Sequence, residues 1–240
     1  MMQLNAKPDL YTDKYASLGR ISIPNFLTPD SAAQLHNCLA TQDTWNLVFT
    51  RDGAHVDIGA DSLDKWSPAQ RLQFDAIVHQ SAERGFQYLY KNIPIYDIYH
   101  KNLLPGHLFN QLFEFLNDSE FLNFARQLTR HPEVSFCDAQ ATCYEAGHFL
   151  TCHDDATEGK NRIAAFVLNM TPDWNPDWGG ALQFYDDQDN IEAGFKPSYN
   201  TLNVFQVPRR HAVGIVAPFA IGSRFSITGW FRSGDDPEAR

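Results

Sequence analysis

The chain has few cysteines, no long apolar run and no run of basic residues, and each shortage excludes a class of protein. Four cysteines among 240 residues, none in a C-x-x-C pair, do not make a disulfide scaffold, so we expect reduced, partly buried thiols. No apolar stretch approaches the roughly 18 residues that a membrane-spanning helix needs. The first twenty residues also lack the apolar core of a signal peptide, which predicts a cytoplasmic protein with no membrane partner.

The charge balance is acidic. Nineteen Lys and Arg residues against 29 Asp and Glu residues give a formal net charge of −10. Such a surface repels the phosphates of nucleic acids, so we expect no nucleic-acid partner, whereas a basic protein partner is allowed. Hydrophobic residues make up 43% of the sequence and aromatic residues 13%, which is enough apolar surface to exclude a disordered chain.

Residues 1–240 contain no internal repeat and no low-complexity linker, which predicts a single domain. Its first part, residues 1–133, has mostly helical patterns, and the polar segment 52–64 between them predicts a loop. Turn residues and capping patterns, including a capping box at Ser67, predict where the helices begin. The predicted elements are a strand near Ile21–Phe26, a helix capped by Thr28, a strand over Trp45–Thr50, a helix from Pro68 to about Tyr88 with Phe74, Ile77, Val78 and Ala82 inward, and helices over His107–Leu116 and Glu120–Thr129, the last capped by Ser119.

Residues 134–231 have a different pattern, in which short apolar runs alternate with turn residues. About eight strands at this spacing predict a jelly roll. The fold class is therefore α+β: a double-stranded β-helix core, residues 134–231, with the N-terminal helices packed on its outside. Gly179 and Gly180 are expected to form a hairpin turn. The clearest strands are Ile163–Asn169, Ala181–Tyr185, Leu202–Val207, Ala212–Val216 and Arg224–Trp230.

The segment around His153 contains the candidate chemistry. If His153 and Asp155 lie on one strand, positions i and i+2 point to the same face, so an imidazole and a carboxylate converge. His211, at the start of a later predicted strand, offers a third ligand. Two histidines and one carboxylate leave three adjacent positions of an octahedral metal open, an arrangement suited to non-haem Fe(II).

Arg224 and Ser226 share one face of the last predicted strand. A planar guanidinium and a hydroxyl on that face could hold a carboxylate, with the arginine bidentate. Asp154 is expected to face away from the metal, and Arg162 to form a salt bridge near the mouth of the site. Two cysteines near the site in sequence, Cys143 and Cys152, are expected to pack rather than to bind the metal.

These motifs together resemble those of the Fe(II)- and 2-oxoglutarate-dependent dioxygenases, in the prolyl-hydroxylase branch. The set comprises H-x-D at His153, the distal His211, R-x-S at Arg224, a tyrosine nine residues before the first ligand, the W-G-G-x-L-x-F-Y-D segment and the closing S-I-T-G-W-F. It is similar to that of the ribosomal prolyl-hydroxylase subgroup. The close resemblance covers roughly residues 136–231, and a weaker one extends back to about Ile21.

The resemblance implies an oxidoreductase that hydroxylates a prolyl residue of a protein, with succinate and CO₂ as co-products. It implies that His153, Asp155 and His211 bind Fe(II), and that Arg224 and Tyr144 hold the C5 carboxylate of 2-oxoglutarate with Ser226 beside them. Ascorbate is expected as an accessory reductant. The resemblance to ribosomal prolyl hydroxylases, together with the acidic charge, implies a basic, translation-related substrate.

Two loops are predicted to hold that substrate. The acidic loop Asp52–Asp64 and an aromatic loop with Tyr96, Tyr99 and His100 could enclose a proline-containing segment, since aromatic faces pack well on a pyrrolidine ring. Two alternatives remain open: the same oxidative chemistry acting on a small molecule or free amino acid, and a jelly-roll binding module without turnover.

Overall fold

The computed structural model describes residues 2–239, and within that range the chain forms seven α-helices and twelve β-strands. The predicted domain also includes Met1 and Arg240, which lie outside the described residues. The helices are α1 (Thr12–Leu18), α2 (Pro29–Ala40), α3 (Ala60–Leu63), α4 (Pro68–Ala82), α5 (Ile95–His100), α6 (Leu108–Leu116) and α7 (Ser119–Thr129). The strands are β1 (Arg20–Pro24), β2 (Asn46–Arg51), β3 (Ala54–Ile58), β4 (Tyr88–Ile93), β5 (Val134–Tyr144), β6 (Phe149–His153), β7 (Arg162–Asn169), β8 (Leu182–Tyr185), β9 (Ile191–Phe195), β10 (Thr201–Gln206), β11 (His211–Val213) and β12 (Arg224–Ser233).

The last eight strands form the predicted jelly roll. One layer has the strand order β10-β7-β12-β5 and the other β6-β11-β8-β9, and every pairing is antiparallel. Strand β4 joins the layers because it pairs with both β5 and β6. The α+β fold class and the double-stranded β-helix core are therefore confirmed.

The N-terminal helices cover the outer face of the β10-β7-β12-β5 layer, as predicted. Phe121 of α7 lies against Phe166 of β7 and Phe231 of β12, with ring centroids 6.0 and 5.7 Å apart. All three side chains are almost completely buried, within the largest apolar cluster of the protein. Burial of such aromatic side chains stabilises the contact between the helices and the sheet by a few kcal/mol for each ring, at about 25 cal/mol per Å².

The first part of the chain also contributes four strands, of which the sequence predicted two. The segment 52–64, expected to be a loop, contains strand β3 and helix α3. Asp52 and Gly53 both have positive φ, 53° and 77°, and they connect Arg51 directly to Ala54 in a two-residue hairpin. An Asp-Gly pair is a strong hairpin signal, because both central residues of such a turn need positive φ.

Helix α4 begins at the predicted capping box but ends earlier than expected. Ser67 accepts from the backbone N–H of Gln70, whose side chain accepts from Ser67 N–H. The helix ends at Ala82 rather than near Tyr88. Ile77 was expected to point inward, but it is 57% exposed, while Val78 beside it is buried.

Two expected helix caps differ in the structure. Asp118, not Ser119, caps α7 and accepts from Phe121 N–H, because Ser119 is already the first helical residue. Thr28 occupies the N-cap position of α2, yet its hydroxyl donates to Ser31 Oγ rather than accepting from the helix backbone.

The expected aromatic loop is helix α5. Tyr99 packs on Phe113 of α6 with ring centroids 4.5 Å apart, and His100 lies 3.2 Å from Asp236. These side chains therefore contact α6 and the C-terminal segment, away from the predicted metal ligands. The prediction that Tyr96, Tyr99 and His100 form an aromatic surface at the mouth of the site is wrong.

Strands β1 and β9 end the hydrogen-bonded strand order, and their charged side chains close the barrel where these strands face each other. Arg20 Nη1 of β1 lies 2.7 Å from Glu192 Oε1 of β9, and Arg209 pairs with the same carboxylate. We call this contact the seam.

The four cysteines are free, and Cys152 is exposed rather than partly buried. Of the helices in residues 2–239, none is both long enough and apolar enough to cross a bilayer.

Candidate active site

A cavity of about 370 Å³ lies between the two layers of the jelly roll. His153, Asp155, His211, Tyr144 and Arg224 all line it, so the structure brings these predicted site residues into one space. Strands β5, β6, β11 and β12 each present an inward-facing side chain to the cavity, because alternate strand residues point to the same face.

The three predicted metal ligands lie within reach of a single ion. His153 Nε2 is 3.3 Å from Asp155 Oδ1, and His211 Nε2 is 3.4 Å from Asp155 Oδ2. One ligand atom from each residue lies within 4.8 Å of the other two. The strand register explains the histidine pair, since His211 of β11 stands directly opposite His153 of β6.

Asp155 reaches this position by a route that the sequence interpretation missed. His153 is the last residue of β6, so Asp155 does not share its strand. Instead Asp155 has a left-handed backbone with φ of 65°, which turns its carboxylate back toward the histidines. Aspartate tolerates this conformation better than most residues because its short polar side chain can hydrogen-bond locally. The shared strand predicted for His153 and Asp155 is wrong, although the convergence of the two side chains is observed.

The backbone fixes which nitrogen of each histidine is free. His153 Nδ1 lies 3.0 Å from the carbonyl of Thr151, and His211 Nδ1 lies 2.7 Å from the carbonyl of Arg209. A carbonyl oxygen can only accept, so each Nδ1 must bear the proton. Both Nε2 lone pairs then point toward Asp155 and are available to a metal.

The local charges favour a neutral His211 and an ionised Asp155. Burial and, to a smaller extent, the neighbouring His153 lower the pKa of His211 to about 4, so its imidazole is neutral near neutral pH. Burial would raise the pKa of Asp155, but the proximity of His153 and His211 holds it below its usual value. Neutral imidazoles and a carboxylate are the protonation states that bind a metal.

Arg162 lies beside this cluster. Its Nη1 donates to the carbonyl of Asp155 at 2.9 Å and lies 3.9 Å from Asp155 Oδ1, which is the salt bridge expected near the mouth. The guanidinium carbon stacks over the Trp230 ring, 3.6 Å from its centroid. Asp154 points its carboxylate at the N–H of Ala156 instead of at the metal ligands.

Arg224 is a buried cation without a counter-charge. Its side chain is 2% exposed, and within residues 2–239 no carboxylate lies within ion-pair distance of its guanidinium. Its Nε has no hydrogen-bond partner, and its guanidinium carbon lies 4.9 Å from the centroid of the Tyr144 ring. Burial lowers the pKa of Arg224, yet an arginine stays protonated in proteins.

Ser226 lies one step below the cavity surface. It is completely buried, and its Oγ lies 2.8 Å from Oγ1 of Thr142, which lines the cavity. Arg224 and Ser226 are two residues apart on β12, as the predicted shared face requires, but Thr142 lines the cavity and Ser226 does not.

One wall of the cavity was not found by the sequence interpretation. Phe86, Tyr88 and Tyr90 line it from β4 and the residues just before it. The rings of Phe86, Tyr88 and Tyr90 contact one another in a continuous row. At one end of the row Tyr90 stacks on Tyr144 with centroids 5.0 Å apart, and at the other end the Phe86 ring lies 5.2 Å from the His153 ring. The alternation of aromatic residues at positions 86, 88 and 90 was the available signal, and assigning Tyr88 to the end of a helix hid it.

Gly179 and Gly180 do not form the expected hairpin turn. Gly179 packs so close to the neighbouring chain that a Cβ there would lie 2.3 Å from the carbonyl oxygen of Ile215. Gly180 lies beside Arg224, whose Cδ would be 3.5 Å from an added Cβ. These glycines allow two backbones to meet next to the arginine.

The donor set fits one class of metal. Two imidazole nitrogens and one carboxylate on one side of an ion leave adjacent positions open, which is the arrangement of non-haem Fe(II) oxygenases. The unpaired Arg224 and the Thr142 hydroxyl at the same cavity fit an anionic organic molecule bound beside the metal.

Comparisons with known proteins agree with this chemistry. Residues 139–232 match the sequence model of the 2OG-Fe(II) oxygenase superfamily. A stretch of 101 residues is 38% identical to prolyl 3-hydroxylase OGFOD1 of Mus musculus, and it spans 39% of this chain and 18% of the mouse protein. The chain therefore spans far less than two thirds of that relative.

Two solved structures share the fold. A prolyl-4-hydroxylase of Pseudomonas putida superposes with a TM-score of 0.61 and 18% identity, over 95% of this chain and 100% of the bacterial chain. A prolyl hydroxylase of Trichoplax adhaerens, bound to a peptide fragment of the hypoxia inducible factor oxygen degradation domain, superposes with a TM-score of 0.60 and 14% identity, over 94% of this chain and 89% of the other.

Proposed function

We propose that the chain, whose residues 139–232 match the 2OG-Fe(II) oxygenase superfamily, is a 2-oxoglutarate-dependent dioxygenase of the prolyl-hydroxylase branch that hydroxylates a prolyl residue of a protein substrate. The observation that best supports turnover is the buried, unpaired Arg224 in the same cavity as His153, Asp155 and His211. In this proposal residues 1–240 are one domain, with residues 1–133 supporting the catalytic core at 134–231.

In this proposal His153, Asp155 and His211 hold Fe(II) through two Nε2 atoms and a carboxylate oxygen. Bound Fe(II) and 2-oxoglutarate supply the oxidation, which inserts one oxygen atom of O₂ into a C–H bond and leaves succinate and CO₂. Arg224 binds the far carboxylate of 2-oxoglutarate, and Tyr144 lies beside it. Ser226 acts there through Thr142, to which it is hydrogen-bonded.

The remaining cavity residues orient the substrate and exclude water. The aromatic row of Phe86, Tyr88 and Tyr90 gives the cavity an apolar wall next to the metal ligands. Phe86 is 49% exposed at the outer end of that row, where an incoming pyrrolidine ring can pack on it. The Arg162 guanidinium, stacked on Trp230, offers a donor to a peptide carbonyl beside Asp155.

The proposed substrate is a protein. The mouse relative is a prolyl 3-hydroxylase, and the Trichoplax prolyl hydroxylase is bound to a peptide fragment. The net charge of −10 favours a basic partner, and the resemblance to ribosomal prolyl hydroxylases favours a translation-related one. We include cytoplasmic localisation and ascorbate as an accessory reductant in the same proposal.

The acidic residues of segment 52–64 do not all face the cavity. His55 Nδ1 lies 2.5 Å from the hydroxyl of Tyr88, a cavity residue, and Asp57 shares a face of β3 with His55. Asp64 instead lines a separate pocket with Lys91 and Cys143, on the other face of the sheet. Of these acidic residues, Asp57 is the one next to a contact with the cavity wall, so we expect Asp57→Asn to raise the KM for a basic peptide at low salt. Asp64→Asn is the matched control.

Mass spectrometry tests the activity directly. The protein is incubated with Fe(II), 2-oxoglutarate, ascorbate and a set of basic proline-containing peptides, and the expected result is a mass gain of one oxygen on proline coupled to succinate formation. Oxidation of free amino acids or small metabolites alone would reject the protein substrate and favour the small-molecule alternative. Metal and 2-oxoglutarate binding with no succinate for any substrate would favour a binding module.

A further inference from the structure

Gln87 is a completely buried polar residue in the segment just before β4. Its side-chain oxygen accepts from Thr50 N–H at 2.7 Å, from Thr50 Oγ1 at 3.0 Å and from Tyr88 N–H at 2.8 Å. Its side-chain nitrogen donates to the carbonyl of Thr50 at 2.8 Å. One side chain therefore fixes the end of β2 to the start of β4.

The backbone of Gln87 is in turn bound to Thr151 of β6. Thr151 Oγ1 accepts from Gln87 N–H at 2.9 Å and donates to the carbonyl of Gln87 at 3.0 Å, while Thr151 N–H donates to the same carbonyl. This clamp lies next to the last ladder pair of β4 and β6, Tyr88 opposite Leu150. The threonine hydroxyl therefore supplies the contacts where the ladder ends.

Thr151 also sets the orientation of a metal ligand, since its carbonyl accepts from His153 Nδ1. We propose that Thr151 and Gln87 are positioning residues for the metal site: by holding the Thr151 carbonyl in place, they fix the ring plane of His153 and aim its Nε2 at the ion. The inference rests on the proposed function, because it needs a metal at His153. Hydrogen-bond partners of metal-bound histidines are worth roughly 10–100-fold in metal affinity or activity.

The other histidine is held differently. His211 Nδ1 donates to the carbonyl of Arg209, and Arg209 is fixed by its own N–H to the carbonyl of Asp154 and by its guanidinium at the seam. His211 is therefore held through Arg209, which also donates to the carbonyl of Leu18, and not through Gln87 or Thr151. Thr50 and Gln87 act at His153 alone.

The test is Thr151→Val, which keeps the shape and the carbonyl but removes the hydroxyl. Co(II) is titrated into the full chain and followed by calorimetry and by its visible absorption, which reports ligand geometry. We expect Co(II) affinity to fall on the order of tenfold or more, with a changed absorption envelope. Thr151→Ser, which keeps the hydroxyl, should bind Co(II) within about twofold of the unmodified chain.

Thr129→Val is the matched control, because Thr129 is also buried and its hydroxyl bonds to the carbonyl of Ala125 in α7, far from the cavity. It should lose comparable stability and no Co(II) affinity. Equal Co(II) binding by Thr151→Val and the unmodified chain, or an equal loss in Thr129→Val, would overturn the inference. If Thr151→Val does not fold, Thr151→Ala is measured in its place. An unmodified chain that binds no Co(II) would instead reject the proposed metal site itself.

Discussion

The two ends of the cavity differ in whether their charged side chain has a partner. At one end Asp155 lies beside His153, His211 and Arg162, and Nδ1 of each histidine donates to a backbone carbonyl. At the other end Arg224 is more deeply buried, its Nε has no hydrogen-bond partner, and its guanidinium lies over the Tyr144 ring. The end at Asp155 has a complete set of metal ligands. The end at Arg224 has a positive charge without a negative partner, which a bound anion would supply.

The difference has an energetic consequence. An isolated buried ion costs several kcal/mol after relaxation, and an oppositely charged partner offsets that cost. Burial of the unpaired Arg224 therefore costs desolvation free energy, and a dicarboxylate bound beside the guanidinium would offset that cost. We expect both ends to be testable separately, since one should respond to metal and the other to 2-oxoglutarate.

The largest effect is expected from Asp155→Asn, which keeps the left-handed backbone and the side-chain shape but removes the charge. Fe(II) binding and turnover should fall to background, a larger loss than the roughly 10–100-fold expected for a ligand's hydrogen-bond partner. Binding is measured by calorimetry with Mn(II) under anaerobic conditions. Asp154→Asn, one residue away and pointing elsewhere, is the control, and equal losses in both variants would argue against Asp155 as the ligand.

The next effect is expected from Arg224→Met, which removes the cation and keeps an apolar side chain of similar length. The 2-oxoglutarate affinity should fall about 10–100-fold, since a charge-assisted hydrogen bond contributes about 1.5–3 kcal/mol. In the absence of 2-oxoglutarate the same variant should be more stable by about 1–4 kcal/mol, because an unpaired buried charge is gone. Chemical denaturation with and without 2-oxoglutarate measures both, and an unchanged affinity would show that the dicarboxylate binds elsewhere.

A smaller effect is expected from Tyr144→Phe. Loss of one neutral hydrogen bond costs about 1 kcal/mol, which corresponds to about a fivefold weaker 2-oxoglutarate affinity. The stack on Tyr90 remains, so the melting temperature should change little. Titration of 2-oxoglutarate in the presence of Mn(II) gives the affinity, and a loss as large as that of Arg224→Met would show that the Tyr144 hydroxyl contributes as much to binding as the guanidinium.

The smallest effect is expected from Ser226→Ala. Because Ser226 touches Thr142 and not the cavity, the variant should lose about 1 kcal/mol of unfolding free energy while 2-oxoglutarate affinity changes by less than about threefold. Thr142→Val, which removes the hydroxyl that lines the cavity, should weaken 2-oxoglutarate binding more. The reverse order would place Ser226, rather than Thr142, against the bound molecule.

The residues of the jelly-roll core were the most predictable part of the molecule. Strand alternation and turn residues predicted about eight strands and located five of them, and the predicted site residues His153, His211 and Arg224 lie at one cavity. The jelly-roll fold is confirmed, and residues 139–232 match the 2OG-Fe(II) oxygenase superfamily as the motifs predict, while the Fe(II) and 2-oxoglutarate chemistry of this chain is a proposal. The detailed roles of the site residues remain predictions, addressed by the variants above.

What the sequence did not predict depends on contacts between distant residues. The left-handed turn at Asp155 and the clamp between Gln87 and Thr151 leave no periodic pattern, since each is a local hydrogen-bond arrangement made possible by the neighbouring strands. The β2–β3 hairpin, in contrast, could have been predicted, because Asp52-Gly53 is a typical sequence for a two-residue hairpin turn. The aspartates of segment 52–64 were interpreted as residues of a polar loop, and the alternating pattern of strand β3 within the segment was therefore missed.

The seam between β1 and β9 also bears on how copies of this chain behave in concentrated solution. Each of these strands ends the strand order in residues 2–239, and an edge strand can act as a template for another chain and start aggregation. Three charged side chains lie between β1 and β9 at the seam: Arg20, Arg209 and Glu192. Arg20 Nη1 is 2.7 Å from the Glu192 carboxylate, and Arg209 pairs with the same carboxylate. A second chain could pair there only by removing water and partners from three charges, so we expect the seam to protect the protein from edge-to-edge association.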